Sequence, residues 1–482
     1  MYFKKLLEFI IVICVFKGEI IMSFKESIER KAKATLIKTG LELLEKNPEK
    51  NVERIFSLVK KSVRDDFSKE RVDRVYQYYN EMPSVHDFIQ DILVNTNKNC
   101  LKKFFANFIG NATWYGISKR EKVGQDNDTK VPFSILISPS MRCNLRCKGC
   151  YASTYSKEDD ISFEEVDRLI GEARDLGIYY IVVLGGEPFF NKYMLDIYEK
   201  YDDMMFMPFT NGTLIDEKMA DKLAELGNVM PMVSVEGTKE DTDWRRGEGV
   251  YDTVMRAMEL LGERGIPFGA STATTRYNVN DVTSDKFIDM LIEKGARMIW
   301  YFIFMPVGND PIKDMDLMLT PEQRIELGRR TRKIRTTKKM FTIDFFNDAP
   351  FVGGCIAGKY YCHINSNEDL EPCIFSHFST DNLKGKPLIE AFKTPFFKEI
   401  RSRQPYNHNL LRPCMMIDNP EQIREIVAKT GAKPDDKGAE MMINNEEFKE
   451  KLNKLAEEFA PVADKAYEDD FHGQGNYEMS KG

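Results

Sequence analysis

The stretch "FSILISPSMRCNLRCKGCYAS", Phe133–Ser153, opens on a short apolar run and passes directly into three cysteines. The run reads as a strand, because it is rich in β-branched residues and bounded by Ser and Pro. Cys143, Cys147 and Cys150 then stand at C-x3-C-x2-C spacing in the loop that follows. Three thiols are one short of tetrahedral zinc, and an odd number leaves one over in any disulfide framework. No histidine occurs between His86 and His363, so a zinc knuckle here would have to recruit its fourth ligand from far away.

Downstream, short apolar runs alternate with amphipathic segments. The strands read as "FSILIS", "YYIVVLGG", "MFMPFT", "VMPMVSV", "FGASTATT" and "MIWYFIFM". Between them lie helices such as "FEEVDRLIGEARDLG" and "EKMADKLAELG", several closing on a C-terminal Gly. Six such units predict an α/β fold: a parallel sheet curled into a partial (β/α)6 TIM-like barrel over about 130–335. Chemistry in such barrels sits at the C-terminal strand ends, which is where the cysteine loop falls.

The flanks differ in texture. Residues 22–125 read as a helical domain, beginning at "SFKESIERKAKATLIKTGLELLEKN" and closing on the polar linker "KVGQDNDTK", with Cys100 in the apolar rhythm of a helix. Residues 340–416 are loop-rich and carry cysteines, and 417–482 form a helical tail. The basic run Arg329–Lys339 reads as a solvated helix face and bridge, and the aromatic sixth strand reads chiefly as core.

A loop of three cysteines followed by an aromatic residue, here Tyr151, resembles the signature of the radical S-adenosylmethionine (radical SAM) enzymes. The resemblance implies a [4Fe-4S] cluster held by Cys143, Cys147 and Cys150, with its open iron chelated by S-adenosylmethionine (SAM). One-electron cleavage then gives a 5′-deoxyadenosyl radical that abstracts hydrogen from a substrate, and the protein supplies binding and orientation. "GGEP", Gly185, Gly186, Glu187 and Pro188, matches the family's motif for the SAM amino group, with Glu187 as a possible acceptor from the ammonium. Asn211 in "TNGT" and Ser234 in "SVEGT" end the third and fourth strands. Glu236 stands where many members have Asp. Arg246 falls in a D-x-x-R-G pattern with Asp243 and Gly247, as a partner for the SAM carboxylate. Thr272 and Thr274 are candidates for the ribose, and Ile303 or Phe304 for the adenine.

The second cysteine group, Cys355, Cys362, Cys373 and Cys414, resembles the SPASM and twitch modules of the same enzymes. It lacks the dense cysteine run of a full SPASM module, so one auxiliary [4Fe-4S] cluster is the expectation. Two other arrangements remain open from the sequence. One is structural zinc; the other is Cys362 as a core thiol, with substrate, water or His363 at the fourth iron.

Composition bounds the rest. The chain has 482 residues, 42% hydrophobic and 30% charged, with a net charge of −7. That balance argues against a dedicated nucleic-acid binder. Clustered cysteines point to metal ligation in a reducing, cytoplasmic setting. The apolar run Ile10–Phe16 is much shorter than a membrane helix needs, so Met22 is read as the true start, with membrane contact by residues 1–21 as the other reading. The expected partners are SAM, a peptide or small-molecule substrate, and an electron donor such as flavodoxin or ferredoxin. A further expectation is that the helical domain docks a partner. The competing class is a non-catalytic iron–sulfur redox carrier or scaffold.

Overall fold

The computed structural model describes residues 51–62, 66–155 and 160–473, with single positions at 40 and 42. Residues 1–21 and most of the helix expected over 23–47 lie outside the described residues. Among the described residues no helix is long and apolar enough to cross a membrane.

The first described part is helical: α1 Val52–Ser62, α2 Asp66–Glu81, α3 Pro83–Asn95 and α4 Lys98–Lys103. Asn97 caps α4, its side chain accepting from the amides of Asn99 and Cys100. Cys100 is fully buried, as its place in the apolar rhythm predicts. The helix then continues as a π-helix, Phe104–Tyr115, and as α5, Gly116–Asp126. A π-helix of 12 residues is long for a form that usually lasts one turn. The expected linker at 122–130 is therefore helical over its first half. α5 ends where the Asn127 side chain donates to the Val123 carbonyl at 2.9 Å.

This module sits against the loops that precede the barrel strands. Asn107 donates to the Asp202 and Met204 carbonyls, both at 2.9 Å. Arg120 donates to the Gly177 carbonyl at 2.5 Å. The Asn97 amide donates to the Gly265 carbonyl at 2.7 Å, and Asp91 pairs with Arg297. All four loops lie at N-terminal strand ends, so the module closes the end of the barrel opposite the cysteine loop.

The barrel follows as β1 Ser134–Ile137, α6 Phe163–Asp175, β2 Tyr180–Val183, α7 Tyr193–Lys200, β3 Met205–Thr210, α8 Glu217–Leu226, β4 Met232–Ser234, α9 Lys239–Arg246, α10 Val250–Glu263, β5 Gly269–Thr274, α11 Asp285–Glu293 and β6 Met298–Ile303. The caps follow from residue type. Ser162, Asp216, Thr238 and Ser284 each accept a backbone amide at a helix start. Gly227 ends α8 in the left-handed region that glycine adopts without a steric penalty.

The parallel sheet is wider than six strands. After α12, Pro321–Thr337, strand β7 Phe341–Asp344 pairs with β6, and β8 Tyr361–Ile364 pairs in parallel with β1. Strand β9, Leu370–Glu371, adds antiparallel to β8, giving the order β7-β6-β5-β4-β3-β2-β1-β8-β9. The cysteine-rich segment thus continues the barrel sheet.

The two faces of the sheet are unlike. Outward residues such as Ile135, Ile137, Ile181 and Val183 are sealed beneath the helices, each contributing about 1.5–3 kcal/mol by burial. Inward residues such as Leu136, Phe209, Trp300 and Phe302 are only partly buried. The sixth strand is therefore not simply core, since its aromatic side chains border an internal space.

Helices α13 Pro395–Arg403, α14 Pro420–Thr430, α15 Lys437–Asn444 and α16 Glu446–Phe471 complete the described chain. The basic run bridges more than it is solvated. Arg332 and Arg335 are buried, Arg329 and Arg332 pair with Asp470 of α16, and Arg335 pairs with Asp348.

Candidate active site

The loop between β1 and α6 brings Cys143, Cys147 and Cys150 to the C-terminal end of the barrel, where all three border one internal cavity. The loop folds tightly because glycines face it. A Cβ at Gly186 would lie 2.2 Å from the Arg142 carbonyl oxygen, and one at Gly185 would lie 2.1 Å from that of Ser140. Only glycine lets the two loops approach so closely. The Tyr151 hydroxyl donates to the Gly185 carbonyl at 3.2 Å, pinning the aromatic residue under this turn.

The charges around the thiols are set by a buried triad. Glu236 accepts from Arg245 Nη1 at 2.8 Å, from Arg246 Nε at 2.8 Å and Nη2 at 2.6 Å, and from the Ala273 amide at 3.0 Å. Burial alone would raise its pKa, yet the guanidiniums of Arg246 and Arg245 hold the carboxyl below its usual value. Arg246 also lies 4.0 Å from the Cys147 sulfur. Burial pushes the Cys143 and Cys150 thiols up, and the neighbouring cysteine charges add to this, while Arg245 and Arg246 oppose it at Cys150. Arg245 was not singled out in the sequence, although it stands in the same D-x-x-R-G stretch.

The remaining candidates divide. Asn211 donates to Asn144 at 2.9 Å and lies 3.6 Å from the Cys143 sulfur, on the cavity wall. Ser234 is on the wall too, its hydroxyl 3.2 Å from that of Ser271. Thr272 touches the cavity but shares its hydroxyl with Thr274 at 3.1 Å. Ile303 and Phe304 border the cavity, and the Phe304 ring is so near Gly149 that a Cβ there would lie 2.5 Å away.

Glu187 points elsewhere. It is buried, and its carboxylate accepts from Thr210 at 2.7 Å, the Asn211 amide at 2.7 Å and the Phe189 amide at 3.1 Å. It ties the end of β2 to the end of β3 and does not border the cavity, and Pro188 beside it opens a short helical turn.

The second group of cysteines divides as well. Cys355, Cys373 and Cys414 border the same cavity, and the Tyr361 hydroxyl donates to the Cys373 sulfur at 2.9 Å. Burial and then the charge of Cys373 push the Cys355 thiol up to about 12. Cys362 is apart from them, which corrects the expectation of a four-cysteine set. It stands in register with Ile135 on the outer face of the sheet, whereas Tyr361 registers with Ser134 on the inner face. Strand alternation turns its thiol into the helical layer. His363 does not replace it, because its two ring nitrogens meet Ser138 at 2.7 Å and Glu371 at 2.6 Å. Asp344, for which the sequence offers no motif, ends β7 in a buried cap, with burial and the Asp348 charge raising its pKa to about 6.

Among the described residues no three His, Cys, Asp or Glu side chains gather tightly enough to hold a single metal ion. Zinc would need such a gathering. Two sets of three thiols around a cavity, one flanked by arginines and close-fitting glycines, suit the broader faces of iron–sulfur cubes, so these residues fit such groups.

Residues 137–291 match the family model of the Radical SAM superfamily. This is a radical SAM domain. The chain is 32% identical over 222 residues to an Fe-coproporphyrin III synthase of Methanosarcina barkeri, a match covering 44% of this chain and 55% of that protein. It is 26% identical to an AdoMet-dependent heme synthase of Nitratidesulfovibrio vulgaris, covering 55% of this chain and 80% of the relative. The chain thus spans about half the length of the first of these relatives. Among solved structures, SuiB of Streptococcus suis bound to its precursor peptide SuiA superposes with a TM-score of 0.51 at 20% identity, covering 62% of this chain and 75% of that one. That likeness shows the shared fold of the radical SAM domain.

Proposed function

We propose that this radical SAM enzyme cleaves SAM reductively at the loop of Cys143, Cys147 and Cys150 and abstracts hydrogen from a substrate lodged in the adjoining cavity. The observation that carries this reading is the convergence of the three thiols, the Gly185–Gly186 turn and Arg246 on one cavity wall. When bound, a reduced cluster with SAM supplies a one-electron cleavage that leaves a carbon radical able to take hydrogen. The chain's own residues do the rest. Arg246, held by Glu236, presents a fixed cation beside Cys147 for a carboxylate. The glycine turn exposes backbone at close range, Glu187 stiffens that turn from behind, and Ile303 and Phe304 exclude water from the wall.

Cys355, Cys373 and Cys414 would hold an auxiliary [4Fe-4S] cluster through three thiolates, leaving an iron position open to substrate or to another donor. Reduction calls for an external one-electron donor such as a flavodoxin or ferredoxin, in a reducing, cytoplasmic setting. By their names the relatives act on unlike molecules, among them porphyrins and a peptide, so similarity does not select the substrate.

Anaerobic reconstitution tests the reading. Two clusters call for about eight irons and inorganic sulfides per chain, with 5′-deoxyadenosine released on adding dithionite and SAM. A Cys143→Ala/Cys147→Ala/Cys150→Ala variant should keep about four irons and release none. Clusters without release under several reductants would sink the catalytic reading and favour a redox carrier.

A further inference from the structure

The axis of this barrel is hollow. In closed parallel barrels inward side chains fill the axis in layers. Here the inward residues border a cavity of about 1180 Å3 that also takes in both sets of cysteines, Gly185, Gly186 and Arg246, so the lumen below the cysteine loop is one part of that volume. The cavity starts in the helical module among Phe56, Ile89, Ile92 and Phe105, runs along the inner strand faces, and reaches both sets of cysteines. Below that loop its wall is almost wholly aliphatic and aromatic. Where a charge does occur, as at Arg297, a partner such as Asp91 already holds it.

Such a space calls for an occupant of matching chemistry. An apolar cavity lacks the polar partners that hold ordered water. A peptide would bring amide groups that this wall cannot satisfy. A nucleotide or a porphyrin with carboxylates would bring charge.

We propose that the lumen binds a single long hydrocarbon chain, carried by a fatty acid or a lipid and threaded along the barrel axis from the helical module to the cysteine loop. The chain's C–H bonds would then lie at the upper end, beside the proposed site of hydrogen abstraction. That last step rests on the radical SAM reading, whereas binding of the chain does not.

The test uses the full chain, reconstituted anaerobically, and displacement of fluorescent cis-parinarate. The competitors are saturated fatty acids of about ten to about eighteen carbons, and lysophosphatidylcholines of matched length. Affinity should tighten on the order of tenfold per two added carbons until the lumen is full. Agreement between the two series assigns recognition to the chain, and a gap between them adds a contribution from the head group. Ile92→Trp and Val182→Phe narrow the lumen at separate levels, so each should weaken the longest competitors by roughly tenfold or more while iron content stays unchanged. If one variant loses iron or its cooperative melt, the other carries the comparison.

Affinity independent of chain length, undiminished binding in the folded narrowed variants, or preference for an apolar peptide would overturn the proposal. So would binding seen only in a variant that starts at Met22, since the chain's own N-terminal segment would then be the occupant. Release of 5′-deoxyadenosine is followed in the same samples. Its absence would defeat the radical reading and leave the chain-length series to judge the lumen separately.

Discussion

Cys362 and Cys373 belong to the same short stretch of sequence, yet their thiols meet different surroundings. Cys362 is buried on the outer face of β8 in register with Ile135, while Cys373 receives the Tyr361 hydroxyl on the cavity wall. Cysteine spacing carries no information about which face of a strand a thiol occupies. The register with β1 decides it, across more than two hundred residues of chain. Two substitutions separate the roles. Cys373→Ala should remove about four irons per chain after reconstitution, whereas Cys362→Ala should retain the full complement. The Cys362→Ala protein should instead lose a modest part of its stability, from the small void left behind. Equal loss of iron in both variants would restore the four-cysteine set.

At the scale of elements, α12 is fixed less by its apolar residues than by its arginines. Arg324 makes a two-pronged pair with Asp418 at 2.5 and 2.9 Å, and Asp418 also accepts the amide of Cys414 at 2.9 Å. Both side chains are buried. Arg324→Met should therefore destabilise the protein by about 3–5 kcal/mol, because a buried carboxylate loses its counter-charge. Arg324→Met with Asp418→Asn should recover part of that loss, as urea melts of the two variants would show. The same contrast explains what was legible in the sequence. "MFMPFT" was read as a strand over Met205–Thr210 and forms one with those bounds, since local apolar residues and flanking turns determine it. β7 is not legible as a strand, because a four-residue strand at the edge of the sheet depends on a partner distant in sequence. Periodicity likewise marks Trp300 and Phe302 as sharing a face, but it cannot tell whether that face meets side chains or space. The spacing of the three-cysteine loop is local and so visible in the sequence, whereas the turn of Glu187 away from the cavity depends on Thr210 and Asn211 at the end of another strand.

For the whole molecule, the contacts that join the described C-terminal segment to the cysteine-rich segment include a buried pair that gives stability a pH dependence. His377 meets Asp436 at 2.8 Å through one ring nitrogen and the Ile374 carbonyl at 2.8 Å through the other. Asp436 also caps α15 by accepting the Ala439 amide. Burial opposes the charge on His377, but the hydrogen bond to Asp436, together with the Glu371 and Asp436 charges, raises its pKa to about 9. Burial also opposes the Asp436 charge, and His377 holds that carboxyl below its usual value. Tyr155 meets the imidazole edge-on with ring centroids 4.9 Å apart, and burial raises the nearby Asp435 to about 8. A histidine raised from 6.5 to about 9 gives stability that is fully present below pH 6.5 and is lost as pH climbs through 9. Asp435, raised in the folded state, gives a loss of the same sign between about pH 4 and 8. The paired Asp436 adds stability above its unfolded pKa, which fades as pH falls through its lowered value in the folded protein. Stability should thus fall by roughly 3 kcal/mol through His377 between about pH 6.5 and about pH 9, with Asp435 adding on the order of 2 kcal/mol over the part of that window below pH 8, measured by urea melts under anaerobic conditions. His377→Gln should be less stable at pH 6.5 and should flatten that upper part of the profile. A wild-type profile that stays level or rises from pH 6.5 to pH 9 would mean that the imidazole is neutral in the folded chain, and the pair would then be an ordinary hydrogen bond.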